Sequence, residues 1–250
     1  WLNAAALGTN VVLIGVLARR VTSRVAWAWV PPAILTLVMT PIVTIHLTAL
    51  SEPVFLACML GGFLALGRHL DAPSPWRLSA AAVLLGLALL ARYAGVACVL
   101  TAMLAIVAGP RPWPNRLRDV AIVSVLAVLP LAAWVIRNLF VASSATGREM
   151  SIHLIGTSHV WQAIHTASGW LLIPPSAPNV LRLGIWGVLL LCTGCALARL
   201  VTMRAEVPSP VRILTIFVVV YAAFLATSIS FFDANTPLDD RILLPALVAL

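Results

Sequence analysis

The sequence predicts an all-α fold, a polytopic transmembrane helix bundle, and three observations carry that expectation. Apolar residues fill 62% of the 250 positions and charged residues only 10%, with a mean hydropathy of +1.04. A soluble domain holds about 45–50% apolar and about 25% charged residues. The apolar residues also come in runs long enough for helices of about 20 residues to cross a hydrocarbon core of about 30 Å. Finally, all 16 basic residues are arginine, and they fall between those runs. A water-soluble enzyme, a disordered tail and a secreted disulfide scaffold are excluded on these grounds. The pI of 10.9 does not signal a nucleic-acid partner, because the arginines line no single polar surface.

Nine spans are predicted, at about residues 1–18, 25–45, 53–67, 77–91, 95–108, 120–136, 183–198, 211–230 and from 242 to the end. The first lacks a basic segment before it and a small-residue cleavage site after it, so it is not read as a signal peptide. Residues 25–67 are too many for one crossing and are interrupted by Thr44-Ile-His46 and Ser51-Glu52-Pro53, which separates the second span from the third. Residues 77–108 would extend about 48 Å as one helix and would carry Arg92-Tyr93-Ala94-Gly95 at mid-membrane, so two short helices meeting at Arg92 are expected. The span at 183–198 holds Cys192-Thr-Gly-Cys195, whose cysteines are read as small packing residues with no redox role. The chain opens on Trp1 and stops inside an apolar run at Leu250, so residues 1–250 are expected to be one domain cut from a longer protein at both ends.

Alternating sides places Arg19, Arg20, Arg24, Arg68, Arg77, Arg111, Arg116, Arg118, Arg199, Arg204 and Arg212 on one side. The other side receives Arg92, Arg137, Arg148, Arg182 and Arg241. The first side is cytoplasmic by the positive-inside rule, and Trp27, Trp29, Trp76 and Trp113 are expected at its interface. The acids sort differently: Asp71, Asp119 and Glu206 inside, and Glu52, Glu149, Asp233, Asp239 and Asp240 outside. The inner side thus keeps the entire +8 while the outer side is neutral. The largest stretch outside the membrane, residues 137–182, is external. Within it Val160, Ile164, Ala167 and Leu171 recur at helical spacing, which predicts an amphipathic helix in the outer interface anchored by Trp161 and Trp170.

Charged groups at outer helix ends are costly unless they pair or serve a site. Ser51-Glu52-Pro53 reads either as a helix start, with Ser51 as cap and Glu52 facing the dipole, or as a carboxylate placed for binding. Arg92-Tyr93 and Arg137-Asn138 each put a guanidinium where a helix emerges, either snorkelling onto terminal carbonyls or forming a fork for phosphate oxygens. The stretch 231–241 concentrates Asp233, Asp239, Asp240 and Arg241, more charge than a cap requires. His153, His159 and His165 are six apart and do not share a helical face, so no metal or other cofactor is expected.

The order of these features resembles the polytopic glycosyltransferases of the GT-C superfamily, in particular the branch of protein O-mannosyltransferases and aminoarabinose transferases. The resemblance rests on Ala49-Leu-Ser-Glu-Pro-Val-Phe55, Gly86-Leu-Ala-Leu-Leu-Ala-Arg-Tyr-Ala-Gly95, Ala133-Trp-Val-Ile-Arg-Asn138, Thr146-Gly-Arg148 and Asp239-Asp-Arg-Ile-Leu-Leu-Pro245. It implies transfer of a hexosyl or pentosyl group, with inversion, from a polyprenyl-phosphate donor to a lipid, glycan or protein acceptor. The expected location is the external face of a bacterial inner membrane. It further implies phosphate contacts from Arg92, Arg137 and Arg241, and sugar or acceptor contacts from Glu52, Tyr93, Asp239 and Asp240. The superfamily's general base lies in the first external loop, so it is expected upstream of Trp1. A transporter or lipid flippase is the alternative, and a non-catalytic scaffold a third reading; midplane charges and inverted repeats would mark a transporter. Convergence of Glu52, Arg92, Arg137 and Arg241 on one cavity would favour the enzyme, and their scatter the scaffold.

Overall fold

The computed structural model of the chain describes residues 1–22, 27–48, 51–142, 152, 155–174, 176–202, 207–232 and 235–249, with the backbone alone for 142, 192–193 and 196–202. Arg24, Arg148, Glu149, His153, Arg204, Glu206 and Asp233 therefore lie outside the described residues, as do the side chains of Cys192 and Arg199.

All regular structure among the described residues is helical, in eleven helices. They are α1 (Leu2–Val21), α2 (Val30–Val38), α3 (Thr40–Leu47), α4 (Glu52–Asp71), α5 (Pro75–Ala91), α6 (Gly95–Val107), α7 (Trp113–Ala142), α8 (Thr157–Trp170), α9 (Asn179–Thr202), α10 (Ser209–Phe231) and α11 (Asp240–Ala249). Among the described residues four of these, α1, α4, α7 and α10, are long and apolar enough to cross a membrane, and the bent pair α2 and α3 makes a fifth if taken as one span.

Nine full spans are thus not found. The run predicted at 25–45 breaks at Met39, where the backbone is extended and the two halves bend by 61°. Pro41 explains the break: it has no N–H for the helical ladder and its ring crowds the preceding turn. The split predicted at Arg92 does occur, but α5 and α6 have 17 and 13 residues, short of the length that spans a bilayer unaided. In α7 the helix runs 30 residues, straight through Pro130 and past Arg137.

Helix α4 is the centre of the bundle. Phe55, Leu56, Met59, Leu60, Phe63 and Leu66 are all within 1% of complete burial. Small residues let its neighbours approach closely, as is usual where helices pack without a hydrophobic drive between them. A Cβ on Gly86 of α5 would lie 3.0 Å from the Ala127 Cα of α7, so that crossing brings two backbones together. An aromatic ladder joins α4 to α10: Phe63 meets Phe217 edge-on at 5.2 Å, and Phe217 stacks on Tyr221 at 5.3 Å.

The charged side chains collect at opposite ends of α4, which rises about 30 Å over its 20 residues. At its C-terminal end Asp71 takes Arg20 of α1 and the Ser209 hydroxyl of α10. His69 lies beside the fully buried Asp119 of α7 at 3.0 Å, and Arg111 pairs with the same carboxylate. Trp76 and Trp113 are exposed at this end, and Arg116 lies 5.9 Å over the Trp113 ring. Glu52, Arg92 and Arg241 gather at the other end. The separation agrees with the alternation read from the arginines.

Candidate functional site

Glu52 is the first residue of α4 and is only 2% exposed. Ser51 stands at the N-cap and Pro53 in the first turn, as a helix start requires, but the Ser51 side chain makes no capping hydrogen bond among the described residues. The Glu52 carboxylate is enclosed by two guanidiniums. Arg92, at the extended residue that ends α5, pairs with Oε1, and Arg241 in the first turn of α11 donates its Nε–H to the same oxygen. Arg92 Nη1 faces that oxygen without an aligned hydrogen bond, so its attraction is chiefly coulombic. Glu52 Oε2 is buried without a hydrogen-bond partner among the described residues.

The pair defines the two readings of Arg92 sharply. Snorkelling onto terminal carbonyls is not what it does; it reaches back across α4 to a buried carboxylate. The turn Arg92-Tyr93-Ala94 makes this reach compact, with Gly95 N–H donating to the Arg92 carbonyl at 2.9 Å and Val96 N–H to that of Tyr93 at 3.0 Å.

A cleft of about 420 Å³ opens beside the ion pair, lined by Arg92, Tyr93, Asp239 and Arg241 together with Tyr221 and Phe224. That volume lies within the range of small-molecule sites, about 300–1,000 Å³. The Arg92 side chain is 18% exposed and that of Arg241 50%, so the half-exposed guanidinium of Arg241 has donors left for a ligand. Asp239 faces the cleft but also accepts the Ile242 N–H at 3.0 Å, which makes it the cap of α11. Tyr221 is a residue that the sequence reading missed. Its hydroxyl donates to the Ile242 carbonyl at 2.6 Å and ties α10 to α11 behind the cleft. Tyr221→Phe should lower stability by about 1 kcal/mol, the worth of one such bond, as read from thermal unfolding in detergent.

Two predicted residues stand apart. Arg137 is exposed on α7 and makes no hydrogen bond or ion pair among the described residues, so it does not join the cleft. Its separation follows from helix length: α7 continues to Ala142, so Arg137 does not stand at a helix end. Asp240 points to α8 instead, accepting the Trp170 Nε1–H at 2.9 Å. The Trp170 indole N–H is thus held by a carboxylate, and Trp161 is half-buried, 6.3 Å from the His165 ring. The expected amphipathic helix exists as α8, with Val160 exposed at 52% and Leu171, just past its end, at 42%, while its polar stripe docks on the segment before α11. The packing role read for the C-x-x-C cysteines also fails at Cys195, which is exposed.

No protein-family model matches this chain, and none of the curated proteins or solved structures does.

Proposed function

We propose that this chain is a membrane glycosyltransferase that moves a sugar from a polyprenyl-phosphate donor to an acceptor on the non-cytoplasmic face, and that the cleft beside Glu52 receives the donor's phosphate. The observation that carries the reading is that Arg92 and Arg241, distant in sequence, line one cleft and are both paired with the buried Glu52 beside it. With Asp239 on the lining, two guanidiniums and two carboxylates meet at the cleft, so its charges balance and a phosphate is met by the arginine donors that the carboxylates leave free. Arginine's planar donors suit phosphate oxygens, and such groups stabilise negative charge that develops on a departing phosphate. The aromatic wall of Tyr221 and Phe224 gives the same cleft an apolar side, as an amphiphilic donor requires.

In this reading the acceptor hydroxyl oxygen attacks the anomeric carbon as the bond from that carbon to the phosphate oxygen breaks. The electron pair leaves with the lipid phosphate, and the acceptor's proton passes to a carboxylate base. Glu52 is not that base: its Oε1 is engaged by both arginines, and its part is to hold them. The resemblance to the GT-C superfamily implies that the base is an acidic residue of the first external loop. The inner membrane of a bacterium and the external orientation of the cleft belong to this proposal, and the arrangement of arginines favours the orientation.

Arg241→Ala should abolish sugar transfer from a polyprenyl-phosphate donor while leaving membrane insertion intact. Undiminished turnover in that variant would remove Arg241 from the site, and failure of the unaltered protein to bind a polyprenyl monophosphate would overturn the proposal as a whole.

A further inference from the structure

One face of α8 grips the segment that carries Arg241. Gln162, Thr166 and Trp170 are spaced by four, so they line one side of the helix. Gln162 Oε1 accepts the Leu238 N–H at 3.1 Å, and the Thr166 hydroxyl donates to the Leu238 carbonyl at 2.8 Å. Both polar groups of one peptide residue are thereby taken by two side chains one helical turn apart. One turn further on, the Trp170 indole N–H reaches Asp240 Oδ1 at 2.9 Å. Leu238 itself is 8% exposed.

The gripped segment has no regular structure of its own before α11 begins at Asp240. Residues 236–239 line the cleft through Thr236, Pro237 and Asp239, and Arg241 follows in the first turn of α11. Without the Gln162 and Thr166 contacts, the Leu238 peptide would be a nearly buried donor and acceptor with nothing to bind, a costly state that the segment would leave by moving. The height at which Arg241 meets Glu52 is then set from α8, by residues that do not touch the cleft.

We propose that Gln162 and Thr166 are positioning residues, and that α8 is the clamp that keeps Arg241 in register with Glu52 for an anionic ligand. The ligand's identity rests on the reading given under Proposed function; the clamp does not. Two measurements on the full chain separate them. In the first, amide hydrogen exchange is followed across residues 238–242 in the unaltered protein, in Gln162→Leu with Thr166→Val, and in Gln162→Glu with Thr166→Ser, which keeps an acceptor and a hydroxyl. The first double variant should exchange about tenfold faster over 238–242, with the rest of the bundle unaffected, and the second should restore most of the protection. In the second measurement, binding of a polyprenyl monophosphate should weaken about tenfold in the first double variant and recover in the second. Unchanged exchange at 238–242 overturns the clamp. Faster exchange with unchanged affinity for the phosphate also overturns it as a positioning device. If exchange rises as expected but the unaltered protein binds no polyprenyl monophosphate, the clamp stands and the donor assignment falls.

Discussion

Glu52→Gln should lower the stability of the bundle by about 3–5 kcal/mol, the usual cost of removing one member of a buried ion pair. The loss falls mainly on Arg92, whose side chain is 18% exposed, because Arg241 is half-exposed and can turn toward water. Glutamine keeps the size of the side chain, so packing around the start of α4 is preserved and charge is the quantity that changes. A double-mutant cycle with Arg92→Gln isolates the pair: the doubly altered protein should regain about 1–3 kcal/mol relative to the sum of the single changes. Additive losses would mean that the two residues are near each other without interacting. A further consequence follows from the charges. With the carboxylate gone, the two guanidiniums face the cleft with Asp239 alone to oppose them, so inorganic phosphate should stabilise Glu52→Gln more than it stabilises the unaltered protein. No response in either protein would show that the arginines are not available to an anion.

The site was legible in the sequence to the extent that its residues mark helix ends. Glu52 precedes a proline, Arg92 interrupts an apolar run, and Arg241 follows two acids, and each of these local signals proved to be a real boundary. That three such ends converge depends on packing between helices 40 and more residues apart, which no local pattern encodes. Arg137 shows the converse. It resembles Arg92 in context, but Leu139, Phe140 and Val141 continue the apolar run and nothing stops the helix there. In α8 the apolar period was visible, yet the docking face was chosen by the free N–H and C=O of Leu238, about 70 residues away. The node of His69, Asp119 and Arg111 carried no signal at all beyond its single residues, because a buried carboxylate is recognisable only once its cations are in place. Of the nine predicted spans, four or five are found among the described residues, for a related reason. Hydropathy counts apolar runs, whereas α2, α3, α5 and α6 are apolar but short, ended by Pro41 and by the turn at Arg92.

That turn makes Gly95 the most sensitive position that bears no charge. A Cβ there would press on the Leu89 Cα and N and lie 2.7 Å from the Ala88 carbonyl carbon, all of them backbone atoms of α5. No rotamer change relieves such a clash, so Gly95→Ala should force α6 away from the last turn of α5. The expected cost is about 1–3 kcal/mol in unfolding, and the displacement falls on the residues between the two helices, Arg92 among them. Gly86→Ala is the matched control. Its Cβ would also meet backbone, 3.0 Å from the Ala127 Cα, but it lies six residues before Arg92 in the body of α5. Both variants should unfold more readily, whereas only Gly95→Ala should also lose affinity for a polyprenyl monophosphate, by tenfold or more on the order of one lost charge-assisted contact. Equal losses of affinity in the two would indicate that the ligand responds to overall stability. An unaltered affinity in Gly95→Ala, with stability reduced, would separate Arg92 from the phosphate and leave Arg241 as its principal ligand.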